Sequence, residues 1–282
     1  MIDLYRRVVS LELRVGATVM VVSGARVAFD VKRDDSTHAN LADIKIYNLA
    51  ETTRAQIKRG AILDLSAGFV DVSGSIFRGA VYEVQPAIPS GGDVITSIKA
   101  SDAAGSGSIS LAYKGSTSWA TVAMAACRAV SGACGVGIGN AASVISTAIA
   151  PAYPRGYSCR GRAMSELARV LAVGGLSVSV QSGDLVVLRE ASAVGVGQVV
   201  SLTANSGLVG YPTVAGRKPP GSPPDKSPKG HTIKALLQPR IYPGSMVSVE
   251  SVTLTGQYRV KSVGHSGDSE GSEWFSSIEV YP

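Results

Sequence analysis

The stretch GAILDLSAGF at residues 60–69, followed by GSIFRGAVYEVQ at 74–85 and TSIKASD at 96–102, decides the fold, because the chain returns to it near its end. There it reads PGSMVSVES at 243–251, LTGQYRVKSV at 254–263 and SSIEVYP at 276–282. In each copy a glycine, Gly60 or Gly244, opens a run in which apolar and polar residues alternate, the period of a half-buried strand. A second glycine, Gly79 or Gly256, starts another such run carrying Val and Tyr, and a Gly-rich turn leads to a third strand. Self-similarity of this kind predicts two copies of one β-module in a single chain.

The surrounding sequence fits that reading. A length of 282 residues suggests about two domains. A hydrophobic content of 45% excludes a chain disordered throughout, while 32 glycines and only 6% aromatics describe short strands joined by turns. No apolar run reaches the ~18 residues of a membrane span. The opening MIDLYRRVVSLELRVG lacks the unbroken apolar core of a secretory signal, so the protein is expected to stay in the cytoplasm where it is made. The net charge of +6 is spread without a dense Lys/Arg stripe, the pattern of a soluble surface more than of a nucleic-acid footprint.

Along the chain, strands are expected over 3–15, 17–22, 29–32, 40–49, 62–69, 76–85 and 93–101, with one short helix over 51–59 stopped by Gly60. This makes a first antiparallel β-module, a small barrel or sandwich, over 1–104. GSGS at 105–108 marks a boundary. An α/β insert follows over 105–195. In it a helix of about three turns starts behind the hydroxyls Ser116, Thr117 and Ser118 and is stopped by Gly132. Residues 144–150 fit strand or helix equally. A second helix presents Met164, Leu167 and Leu171 on one face and stops at Gly174 and Gly175. A hairpin then turns at Ser182, Gly183 and Asp184. The second β-module occupies 196–282. It carries AGRKPPGSPPDKSPKG at 215–230, whose five prolines exclude an interior strand and predict a long exposed loop. The fold class is therefore mainly β: two antiparallel modules flanking a small α/β domain.

No constellation signals catalysis; nucleophile elbow, HExxH, P-loop and calcium-loop motifs are all missing. GVGIG at 135–139 imitates part of a dinucleotide loop but follows a helix, where that loop must follow a strand. Cys127, Cys134 and Cys159 form no CxxC pair and read as the thiols of a reducing compartment. His38, His231 and His265 have no neighbouring nucleophile pattern and read as surface histidines. Asp34 with Asp35, and Asp268 with Glu270 and Glu273, read as solvated turn carboxylates before they read as cation ligands. Glu166 and Asp184 could be imagined as a glycosidase pair, yet one lies on a helix and the other in a turn. No catalytic, cofactor-binding or metal-binding residue is assigned, no cofactor is expected, and the chain reads as a non-enzyme that presents surfaces.

Three segments together resemble a known family. NLADIKIYNLAETTRAQIKRGAILDLSAGF (40–69) with IFRGAVYEV and ITSIKASDA is similar to the N-terminal module of tail hub, or baseplate hub, proteins of tailed bacteriophages. Ile44, Ile46, Tyr47, Asn48, Leu49, Gly60, Leu65, Ala67, Gly68, Ile76, Phe77, Gly79 and Asp102 carry the match, with Phe69 where the family has Tyr. YSCRGRAMSELARVLAVGGLSVSVQSGDLVVL (157–188) and the pattern of Leu236, Leu237, Pro239, Ile241, Pro243 and Gly244 continue it. The resemblance implies a homotrimer whose six modules form a pseudo-six-fold ring, adapting a hexameric tail tube or distal adaptor to a three-fold central spike. It implies further partners in the tape-measure protein's C-terminus and other baseplate proteins, with DNA only in transit, and a place in the virion tail after assembly in the host cytoplasm. Unpaired strand edges invite such ring closure, and the strands near Leu41–Tyr47 and Ile233–Pro239 are expected to provide them. Alternative readings are a hub-like component of a bacterial contractile injection or secretion system, a tail-associated cell-wall hydrolase, and a nucleic-acid-binding β-barrel.

Overall fold

The computed structural model describes residues 5–85, 88–102, 107–189, 199–214 and 230–281. The first part of the chain forms β1 (Arg7–Val15), β2 (Thr18–Val22), β3 (Val27–Asp34), β4 (Leu41–Tyr47), a single helical turn α1 (Glu51–Arg54), β5 (Ile62–Phe69), β6 (Val72–Val84), β7 (Ile88–Ser90) and β8 (Asp93–Ser101). The middle forms β9 (Ser108–Tyr113), α2 (Trp119–Cys134), α3 (Ala141–Thr147), β10 (Tyr157–Arg162), α4 (Ala163–Ala172), β11 (Leu176–Gln181) and β12 (Asp184–Arg189). The last part forms β13 (Val200–Leu202), β14 (Leu208–Val214), β15 (His231–Leu236), β16 (Met246–Glu250), β17 (Thr255–Asp268) and β18 (Trp274–Tyr281).

The chain divides into two compact units. One is built from Met1–Asp34, Leu41–Ala100 and Val194–Pro282, the other from Asp35–Asn40 and Ser101–Ala193. In the first unit, period-two alternation places one side of each strand inside: Val27, Phe29 and Val31 on β3, Ala42, Ile44 and Ile46 on β4, Leu63, Leu65 and Ala67 on β5. The fold is mainly β, as the sequence predicts. Its fourteen strands, however, join in one sheet that both halves share, in the order β14-β15-β18-β17-β3-β4-β8-β6-β5-β1-β2. β7 attaches to β8, and β16 and β13 attach beside β17.

The repeat is visible in this order: β3-β4-β8-β6-β5-β1 runs as β14-β15-β18-β17-β16-β13 does. Hydrogen bonds fix the equivalence residue by residue. Gly60 N donates to Val81 O and Val81 N to Ala61 O, both at 2.8 Å; Gly244 N donates to Val260 O at 2.8 Å and Val260 N to Ser245 O at 2.9 Å. Gly60 and Gly244 have φ of +88° and +87°, a left-handed turn into the strand that a side chain would strain. Asn48 N to Val94 O corresponds likewise to Leu237 N to Trp274 O. This ladder makes Val81 the counterpart of Val260, so Gly79 and Gly256, which the sequence pattern matches to each other, are two residues out of step. One departure is topological: β1 runs antiparallel to β5, whereas β13 runs parallel to β16.

In the second unit, Ser118 caps α2 by accepting the Thr121 amide at 3.2 Å. The helix continues through Gly132 and ends at Gly135, which takes the left-handed conformation and donates to Ser131 O. A mid-helix glycine costs only ~1 kcal/mol relative to alanine, and buried Val130 and Cys134 on either side outweigh it. Of residues 144–150, ambiguous in the sequence, 144–147 are helical as the end of α3 and 148–150 are not. The expected helix over 51–59 is reduced to four residues with none buried, since nothing apolar on it faces a core. Strands β9 and β10, which pair with each other, were not legible in the sequence. Trp119, Leu167 and Leu171 meet in this unit's core, and Met164 packs against it half-buried. Gly174 is required there, because a Cβ would sit 2.5 Å from the Trp119 ring. No helix among the described residues is long and apolar enough to cross a membrane. The Pro-rich stretch 215–230, apart from Gly230, lies outside the described residues, as do 105–106 of the boundary tract and residues 3–4 of the first expected strand.

Candidate functional site

The two β-halves meet where β3 pairs antiparallel with the C-terminal half of β17, from Ser262↔Asp34 to Asp268↔Ala28. Trp274, at the start of β18, crosses this junction. It is 1% exposed, stands edge-on to Phe29 with ring centroids 5.4 Å apart, and its Nε1 donates to Gly68 O at 3.2 Å. It belongs to the apolar cluster of the first half although it comes from the second. Gly267 leaves room for the two rings, since a Cβ there would lie 2.4 Å from Phe29 and 2.8 Å from Trp274. Gly68, at φ +152°, lies so close to the following turn that a Cβ would fall 2.2 Å from Val72 O.

The rim of the junction is polar. Arg26 forms a two-pronged pair with Asp268, at 3.1 and 2.7 Å, and lies 4.4 Å from the Tyr47 ring centroid. The hydrogen bond from Arg26 holds the Asp268 carboxyl below the usual range, and Arg26 stays protonated throughout. Arg7 lies over the Trp274 ring, 5.5 Å from its centroid, and donates to the carbonyls of Asp268 and Gly271. Val27 N donates to Ser269 Oγ at 3.0 Å. Deeper in, His265, which the sequence places at the surface, is instead fully buried, because both neighbouring ladders of β17 are filled, opposite Val31 on one side and Ser276 on the other. Burial, aided by the nearby Arg33 charge, pushes its pKa down to about 3, so the ring is neutral. Its Nδ1 lies 2.9 Å from Ser276 Oγ, which also accepts the Gln238 amide.

The sheet has one apolar and one polar side. Registers across β4, β3, β17, β18 and β15 place Asp43, Asp30, Ser266, Phe275 and Leu236 in one row, and Leu41, Lys32, Gly264, Ser277 and Lys234 in the next. Three lysines of this face pair with carboxylates: Lys32 with Asp30 at 3.7 Å, Lys99 with Glu83 at 3.1 Å, Lys261 with Glu279 at 3.4 Å. Lys234 rests on the Phe275 ring at 4.1 Å. A depression of about 620 Å³ opens on it, lined by Asp30, Lys32, Asp43, Lys45, Tyr82 and Lys99 among others.

Two strands expected to offer free edges do not. β4 lies between β3 and β8, and β15 between β14 and β18, so both ladders of each are occupied within the chain. Among the described residues the sheet instead ends at β14, whose exposed residues include Tyr211 and Val214, and at β2, with Val19 and Val21 exposed. A third edge opens on β6 past Val81, where the β5 ladder stops.

The residues weighed for chemistry are dispersed. Cys127 and Cys134 are buried on α2 and Cys159 is half-buried on β10; burial raises the Cys127 thiol to about 11. Gly135 caps α2, while Gly137 is bound into the β11–β12 hairpin by bonds to Gly183 O and from Leu185 N, which gives GVGIG a packing role. Glu166 is buried and bonded to Arg169 at 3.0 Å; Asp184 is exposed at the hairpin end. His38 contacts Ser36, and the His231 ring stands 5.8 Å from Tyr258. Asp34 ends β3. Among the described residues no three His, Cys, Asp or Glu side chains converge as metal ligands. The sequence reading missed Trp274, Phe29 and Arg26. One of only two tryptophans in a chain poor in aromatics was the available signal.

No family model and no curated protein matches the chain. Solved structures do. The 43 kDa tail protein of prophage MuSo2 from Shewanella oneidensis superposes with a TM-score of 0.59 at 12% identity, covering 96% of this chain and 98% of that one. A tail protein from Neisseria meningitidis MC58 gives 0.62 at 11% identity, covering 98% and 97%. An Escherichia coli component of the type VI secretion system, described as structurally similar to the T4 bacteriophage tail proteins gp27 and gp5, gives 0.53 at 8% identity, covering 96% and 76%. Over nearly its whole length, this chain has the fold of phage tail proteins.

Proposed function

We propose that this chain is a structural, non-enzymatic tail hub: a homotrimer whose six β-modules form a ring between a six-fold tail tube and a three-fold spike. The observation that carries the reading is the pair of equivalent β-halves, side by side in one sheet, in a chain with the fold of tail proteins. The segments 1–104, 105–195 and 196–282 serve as first module, insert and second module. The charge-matched polar face suits a channel wall, because lysines already paired with carboxylates hold a passing polyanion weakly. The tube or a distal adaptor, a spike or tip protein, the tape-measure C-terminus and neighbouring baseplate proteins are the partners of this reading, and the virion tail is its place.

Solution mass with electron microscopy tests it, alone and with the tube protein of the same tail. Rings of three chains support the proposal; a chain that stays monomeric in both conditions overturns it. The likeness to the Escherichia coli secretion component favours one second reading, the same ring in an injection machine without a virion. Localisation to purified phage particles separates the two.

A further inference from the structure

The junction inside the chain is one of two that the repeat defines. Within the chain, β3 of the first half pairs with the C-terminal half of β17 in the second. Their counterparts are β14 and the C-terminal end of β6 continued by β7. These are open: among the described residues β14 pairs only with β15, β7 only with β8, and β5 leaves β6 at Val81. Among the described residues each chain therefore carries one satisfied junction and the two halves of an unsatisfied one. Complementary edges that cannot meet within one chain can meet between copies, and this head-to-tail contact closes into a ring. Exposed Tyr211 and Val214 on β14, and Tyr82 on β6, give these edges the apolar character of a contact surface.

We propose that the outer edge of β14 in one copy pairs antiparallel with the β6–β7 edge of the next copy, in the register that β3 and β17 use inside the chain. The proposal rests on the ring reading above and names its contact. The register follows from the repeat. Ala28↔Lys45 and Asp30↔Asp43 correspond to Val209↔Lys234 and Thr213↔Thr232, so Val209 stands for Ala28 and Thr213 for Asp30. The third strands align as Val94 with Trp274 and Ile95 with Phe275. Ile88↔Ile95 and Ser90↔Asp93 then place Ile88 at Ser266 and Ser90 at Asp268. The internal pairs Ala28↔Asp268 and Asp30↔Ser266 transfer to Val209↔Ser90 and Thr213↔Ile88 between copies. Between these two pairs β14 carries two extra residues, a bulge that β3 lacks, which keeps both ends in step.

Cysteine cross-linking of the full chain tests this, in a Cys159→Ser background that leaves only the buried native thiols. The double variant Val209→Cys/Ser90→Cys, oxidised and run without reductant, is expected to give covalent species of two and three chains and none larger. Val209→Cys/Pro89→Cys, one residue out of register and facing the other side, is expected to give at least tenfold less. Asp30→Cys/Ser266→Cys is the internal control and locks within one chain. A trimer by mass whose Val209/Ser90 pair fails to cross-link, or links no better than Val209/Pro89, overturns the edge assignment and leaves the ring reading standing. A chain without trimers by mass, alone and with tube protein, overturns the ring reading and with it this contact.

Discussion

Truncating Trp274 to alanine attacks the junction at its most buried point. The side chain is 1% exposed, lies edge-on to Phe29 and donates to Gly68 O at 3.2 Å. Removing a buried tryptophan to alanine costs ~3–5 kcal/mol through lost burial and the cavity left behind. Within that loss the ring–ring geometry accounts for ~0.5–1.5 kcal/mol, measurable as the coupling between Trp274→Ala and Phe29→Ala in a double-mutant cycle. Trp274→Phe keeps most of the ring and drops the hydrogen bond to Gly68 O, at a cost of ~0.5–1.5 kcal/mol. With a urea slope of about 2–3 kcal/mol per M, Trp274→Ala lowers the midpoint by ~1–2 M. Far-UV circular dichroism follows the β-sheet. Trp119, the remaining tryptophan, reports separately on the second unit, whose core is its own. A circular-dichroism midpoint that moves by less than about a third of the expected shift would refute the assignment of Trp274 as the residue that binds the halves together.

Further outcomes follow from the same geometry. His265 has its pKa lowered, so its neutral form stabilises the fold above pH ~6.5, and that contribution is lost as pH falls toward about 3. Stability measured by denaturant at stepped pH is expected to drop by up to ~1.4 kcal/mol per unit between pH 6 and 4.5, and the slope to flatten in His265→Gln. The Asp268 carboxyl, also lowered, adds its loss only below the ordinary carboxylate range, so the two windows are separable. Gly68→Ala forces a Cβ to within 2.2 Å of Val72 O and is expected to cost more than ~3 kcal/mol, or to leave the protein insoluble; a midpoint near wild type speaks against the turn described. Native labelling with iodoacetamide at pH 7 should modify Cys159 first and Cys127 only after denaturation, because Cys127 is buried and its thiol is raised to about 11; mass spectrometry of timed samples checks the order.

The repeat and the strand-rich architecture were legible because strand period and turn glycines are local properties. Alternation of Leu63, Leu65 and Ala67, and the left-handed turns at Gly60 and Gly244, need only neighbouring residues to be read. The same locality explains the errors. Gly132 looked like a helix stop, yet Val130 and Cys134 pack on either side of it and carry α2 to Gly135. Leu41–Tyr47 looked like an edge strand, but whether a strand has one neighbour or two depends on segments as distant as β8.

What the sequence alone determined is a duplicated β-module around an α/β insert, since amphipathic period and turn chemistry act over a few residues. What only the tertiary structure decided is how the copies meet. β3 and β17 are more than two hundred residues apart, and no local pattern announces their pairing. Trp274 becomes a junction residue only once Phe29 and Gly68 are brought beside it. Among the described residues the free edges at β14 and β6–β7, like that of β2, are likewise what the filled ladders leave over. Backbone hydrogen bonds are the same for any sequence, so which of them stay unpaired is a property of the whole fold.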